Sequence, residues 1–220
     1  VAVALGISLF LNEPKETTDH AAPTSRELLG GGIALLRANR QLRRLVVLSI
    51  LCNPLSAYLL TFYQPYLLGV GAAPGWLGPS LAAAFLLGAA CSHFAYLLET
   101  WSGVRWALLV ATVLPGLLYL LMALPVAPWL AAALFVATFG TASLQKPIFS
   151  DYINRHIASE NRTTVLSMIS MLSGVYVSLM GLLTGAVAEA SLAATFVLTG
   201  AVVVIVSVVF RVAVARQKGD

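Results

Sequence analysis

LVVLSILCNPLSAYLLTFYQPYLLGVGAAPGWLGPSLAAAFLLGAACSHFAYLL, residues 45–98, contains no Asp, Glu, Lys or Arg. An α-helix rises about 1.5 Å per residue and the hydrocarbon core of a bilayer is about 30 Å thick, so roughly 20 such residues suffice to cross it. This run is too long for one crossing and must fold back. Gly69, Gly71, Pro74, Gly75, Gly78 and Pro79 interrupt it near the middle, where a turn is needed. The reading is two spans, 45–68 and 77–98.

The rest of the chain repeats the pattern. Residues 106–145, 163–188 and 190–210 are also free of charge, and Pro125 and Pro128 divide the first of these. The expected spans are therefore six: 45–68, 77–98, 106–124, 129–145, 163–188 and 192–210. Hydrophobic residues make up 59% of the chain, charged residues 10%, and the mean hydropathy is +0.89. That balance excludes an ordinary soluble domain and indicates an all-α, polytopic membrane bundle. Residues 1–11 are apolar but too short to span, start without Met and lack the basic segment of a signal peptide. They read as the end of a helix that begins upstream, followed by a linker over 12–44, the bundle over 45–214 and a short tail over 215–220.

Basic residues concentrate on the cytoplasmic side of membrane proteins. With six spans, all 13 Lys and Arg fall on one side, and the opposite links carry Glu189 as their only charge. The expectation is a cell-membrane protein with its linker and C-terminus in the cytoplasm. The net charge of +4 follows from this bias and gives no argument for nucleic acid. Cys52 and Cys91 fall inside spans, where cysteine acts as a small apolar residue. In the linker, Thr24 and Glu27 have capping-box spacing, and Leu28 to Leu36 with Arg37, Arg40, Arg43 and Arg44 suggest a basic amphipathic helix on the membrane surface. Its simplest role is a tether.

In the fifth span Ser167, Ser170, Gly174, Ser178, Gly181 and Gly185 recur at steps of three and four. They share one helical stripe, the pattern by which membrane helices approach closely, and are expected to form a packing seam. Polar residues within spans are the candidates for handling a solute. Asn53 precedes Pro54, which bends the helix, and Tyr58 follows; His93 and Tyr96 lie a turn apart; Thr141 and Gln145 run toward the basic side; Tyr176 lies off the small stripe. These are the substrate-cavity candidates. Tyr63 and Gln64 read as interfacial anchors or gate residues, and Lys146 as a head-group contact or the receiver of an anionic solute.

Six spans with both ends cytoplasmic, a long basic loop before them and the end of another helix resemble the C-terminal half of a major facilitator superfamily transporter. The resemblance covers the whole chain. Residues 1–11 would end the family's helix 6, and the spans would be its helices 7–12. Glu99, Gly103 and Arg105 resemble a degenerate copy of the family's acidic, glycine and basic signature between helices 2 and 3. The stretch SDYINRHIASENRTTVLS, from Ser150, is similar to the boundary of helices 10 and 11 in bacterial members.

The resemblance implies a secondary active carrier that moves a small solute by alternating access. Glu99, Arg105, Asp151, Arg155, Glu160 and Arg162 would be a conformational latch, and Thr163 or Thr164 would cap helix 11. Its partners would be the bilayer, an N-terminal six-helix half, a solute and, if His93 titrates, protons. No Asp or Glu lies mid-span, so a coupling carboxylate would belong to the other half. The apolar, aromatic half-cavity favours efflux of a lipophilic or amphiphilic compound, with uptake symport of a metabolite as the alternative.

Other classes fit less well. A membrane enzyme would cluster His, Asp or Glu at one face, whereas His20, His93 and His156 are scattered and none has metal-ligand spacing. There is no P-loop, and neither catalytic residues nor a metal or cofactor is expected. A receptor-like signalling protein would need a soluble effector domain, which these residues do not contain.

Overall fold

The computed structural model describes residues 34, 36–52, 55–157 and 159–210. Among them every regular element is helical and no strand occurs. The helices are α1 (Arg40–Cys52), α2 (Leu55–Gly69), α3 (Leu77–His93), α4 (Ala95–Ser102), α5 (Val104–Met122), α6 (Pro128–Ala142), α7 (Gln145–Arg155), α8 (Ser159–Ala190) and α9 (Leu192–Val209), with a 3₁₀ turn at Pro74–Trp76. The helix end expected at 1–11, the Thr24 capping box and the tail over 215–220 lie outside the described residues.

Four helical stretches are long and apolar enough to cross a membrane: Pro74–His93, Pro128–Arg155, Arg162–Ala190 and Leu192–Val209. Trp106–Met122 is a shorter apolar helix. The span expected over 45–68 is described as α1 and α2, which flank residues 53–54. Local chemistry sets most boundaries. The Asn39 side chain accepts hydrogen bonds from the Gln41 and Leu42 amides at 3.1 and 3.0 Å and so caps α1. Pro128 begins α6, where its missing N–H costs nothing. Ser191 caps α9 by accepting from the Ala194 amide. Gly103 ends α4 with φ of +76°, a conformation that favours glycine. α8 starts at Ser159, so Thr163 and Thr164 lie inside its first turns and the cap expected there is displaced.

The break between α6 and α7 has a specific cause. Pro147 has no N–H, so the Ser143 carbonyl loses its partner one turn ahead. The Ser92 hydroxyl of α3 donates to that carbonyl at 3.0 Å. A second break, at Phe94, separates α3 from α4.

The core divides along the helix axes. At the basic end, Leu42, Leu45, Leu48 and Cys52 of α1 pack with Ala107, Leu108, Ile148, Phe149 and Tyr152. At the other end the cluster is aromatic: Tyr63 stacks on Phe135 with centroids 5.0 Å apart, and Tyr66 meets Phe196 edge-on. Tyr63 is therefore a core residue, 7% exposed, because its ring finds an aromatic partner on α6; Gln64 stays exposed and donates to the Tyr63 hydroxyl at 3.1 Å.

The closest helix approaches are at glycines other than the predicted stripe. A Cβ on Gly200 of α9 would stand 2.7 Å from the Gly116 carbonyl of α5, and one on Gly140 of α6 would meet Leu87 of α3 at 2.5 Å. Within the stripe, Ser167, Ser170, Gly174 and Ser178 are exposed, and a Cβ at Gly174 or Gly185 meets nothing. The buried line of α8 is instead Val165, Met168, Met180 and Thr184. The reason is geometric: the bulkier line packs toward α1 and α9, which turns Ser167, Ser170, Gly174 and Ser178 outward, while Gly181 faces Tyr58.

The outer surface is apolar. Leu86, Leu182 and Val209 are 73%, 75% and 70% exposed. Such a continuous exposed apolar shell is unusual for a monomer in water. Together with the four long apolar helices it is compatible with a membrane protein.

Candidate functional site

The ends of α4 and α7 carry the predicted latch residues and bring three of them together. Arg155 lies 3.2 Å from Glu99 and 2.6 Å from Asp151, one turn back on its own helix. Its guanidinium also stands over the Tyr152 ring at 5.3 Å. Tyr152 is buried, and its carbonyl lies 2.7 Å from His156 Nδ1. Glu99 is the least exposed of the three charges, at 22%. Arg162 is exposed in the first turns of α8. The side chains of Arg105 and Glu160 lie outside the described residues.

The cavity candidates divide into two groups. Tyr58 is buried and donates its hydroxyl to the Val177 carbonyl of α8. A carbonyl has a second lone pair beyond its helical bond, and the space for the phenol comes from Gly181, whose Cβ would sit 3.3 Å from the hydroxyl. Tyr176 packs against the cluster that holds Tyr58 and Cys52, and its hydroxyl is buried without a hydrogen-bond partner. Cys52 Sγ lies 3.8 Å from the Ser207 hydroxyl. Gln145 is 2% exposed at the start of α7, and its Oε1 is likewise buried and unpaired. Unpaired buried polar atoms are costly in an apolar surround and mark places where a polar group of a ligand or water gains most.

The second group does not join this centre. His93 and Tyr96 are exposed on either side of the Phe94 break, and the His93 ring meets Phe94 edge-on. Thr141 donates to the Ala137 and Thr138 carbonyls of its own helix. Asn53 lies outside the described residues.

Openings in the bundle surface include two near these residues. One, of about 330 Å³, lies between α2, α5 and α9 and is lined by Pro65, Tyr66, Met122 and Phe196 among others. The other, of about 520 Å³, lies between α3 and the α6–α7 break and includes Ser92, Ser143, Lys146 and Ser150. The glycine contacts and the Ser92 lock were missed in sequence because the neighbour that gives each its meaning is far along the chain. Pro147 was the signal for the second. No family model matches the chain, and no curated protein matches it.

Proposed function

We propose that the chain is a membrane-embedded half of a secondary active carrier of the major facilitator type, with six spans, moving a small solute by alternating access. The observation that carries this reading is the broken span Pro128–Arg155. It interrupts its helix at Ser143, presents the buried and unpaired Gln145 beside the break, and ends at the Glu99–Arg155–Asp151 cluster. Broken helices with polar groups at the break recur along the solute paths of secondary transporters, here toward the basic end of the span, and exposed ion pairs at helix ends are suited to bias two states separated by a few kcal/mol.

The uneven cover of the helices supports a second half. Only 17% of the apolar stretch is buried in α3 and in α8, against 39% in Pro128–Arg155 and 33% in α9. The apolar outer shell and the absence of a charge along α8 past Arg162 up to Glu189 favour a lipophilic or amphiphilic solute, exported from the cell.

The test is single-cysteine labelling in intact cells combined with efflux of a lipophilic fluorescent cation. Cysteine at Ala73 is expected to react with an impermeant maleimide and cysteine at Ser159 to stay protected. Gln145→Leu is expected to slow efflux at least about tenfold with membrane abundance retained, since it deletes a polar group beside the break. Labelling at Ser159 alone, or no energy-dependent movement of any solute by the full gene product, sinks the reading.

A further inference from the structure

Lys146 lies within a helix, just past the α6–α7 break. It is exposed and makes no ion pair among the described residues. Counted along the helix from Pro128, it stands about 27 Å in, against a hydrocarbon core about 30 Å thick, and about 13 Å short of Arg155. That is close to the membrane face, where the lysine stem can carry its ammonium into the head-group region and favours an anionic partner there.

Lys146 borders the cleft of about 520 Å³, whose wall is formed by Ser92, Phe139, Ala142, Ser143, Pro147 and Ser150. The hydroxyls of this wall differ in what they can still donate. Ser92 spends its proton on the Ser143 carbonyl, and Ser143 spends its own on the Phe139 carbonyl. Ser150 accepts from Asn154 Nδ2 at 3.4 Å and keeps its proton to donate. The cleft therefore presents an ammonium and a hydroxyl donor, with no carboxylate lining it; Asp151 and Glu99 are engaged by Arg155. Beside the polar end the wall is apolar. Phe139 meets Phe85 edge-on at 5.0 Å, and Phe85 and Leu86 are exposed along α3.

We infer that this cleft holds the anionic head, a carboxylate or a phosphate, of an amphiphile whose tail lies along Phe139 and Phe85. Such a head is matched by charge at Lys146, and the cleft sits at the depth where a lipid head group meets its chains. Both a bilayer lipid and a fatty-acid-like solute present this chemistry. The site stands on its own contacts and does not require the carrier reading.

The test places the full chain in nanodiscs of phosphatidylcholine. Radiolabelled dodecanoate binding is measured at equilibrium, and retention of phosphatidylglycerol, added as a minor component, is measured by native mass spectrometry. Lys146→Gln removes the charge, Ser150→Trp fills the cleft, and Lys146→Arg restores the charge. Losing a charge-assisted contact weakens binding by about tenfold or more, so both Lys146→Gln and Ser150→Trp should do so while Lys146→Arg stays within about threefold of wild type. Loss for dodecanoate assigns a solute site, loss for phosphatidylglycerol assigns a lipid site, and loss for both assigns one site shared by them. Failure of both anions to bind the wild-type chain, or unchanged binding in Lys146→Gln and Ser150→Trp of whichever anion does bind, overturns the proposal.

Discussion

Tyr58 shows how a single side chain couples distant parts of the chain. Its hydroxyl crosses from α2 to the Val177 carbonyl of α8, and in an apolar surround that bond has no water to replace it. Tyr58→Phe keeps the ring and deletes the bond, so it should destabilise the bundle by about 0.5–1.5 kcal/mol. Thermal unfolding in detergent should show the midpoint falling by a few degrees; an unchanged midpoint would mean that the carbonyl is equally well served by its helix alone. The residue was legible in sequence as a polar group in a span. Its partner was not, because nothing near Tyr58 in the chain points to residue 177.

Among the elements, the contact between α5 and α9 is the most demanding. Gly116 and Gly200 let the two backbones meet so closely that a methyl group at Gly200 collides with a carbonyl, which cannot swing aside as a side chain would. Gly200→Ala is expected to cost about 1–3 kcal/mol by overpacking. Gly174→Ala, whose new methyl meets only open space, should leave the stability of this bundle unchanged or raise it by up to about 1 kcal/mol through helix propensity. Comparing the two unfolding midpoints checks this, and a larger loss for Gly174→Ala would reverse the assignment of seam and surface. Periodicity picked out the stripe on α8 because small residues at steps of three and four are visible in one helix. The close approach between α5 and α9 uses one glycine from each of two helices, a pattern that no single-helix count can display.

In the whole molecule, the Glu99–Arg155–Asp151 cluster ties α4 to α7. Arg155 is 54% exposed and Asp151 46%, so each pair contributes at most about 1 kcal/mol and the cluster is a poor source of stability. In a carrier with two states separated by a few kcal/mol, that same energy is enough to shift the populations severalfold. Arg155→Ala is therefore expected to lower the unfolding midpoint only slightly while changing the maleimide reactivity of a cysteine at Ser159 severalfold in inverted vesicles. A large loss of stability with no change in reactivity would make the cluster a structural clasp.

The sequence by itself determined that the chain is helical and apolar, where the turns near Gly71, Pro125 and Ser191 fall, and that its charges collect at helix ends. Each of these depends on local properties: hydropathy summed over a span, a proline without its N–H, a cap within three residues. Only the tertiary structure decided which faces turn inward, that Glu99 of α4 meets Arg155 of α7, that Gly116 receives Gly200, and that Lys146 opens onto a cleft. The physical reason is that the longer helices α3, α6, α8 and α9 are apolar on nearly every side. Without a polar face to mark the outside, hydrophobicity cannot orient them, and the choice falls to shape, hydrogen bonding and close contact between residues far apart in the chain.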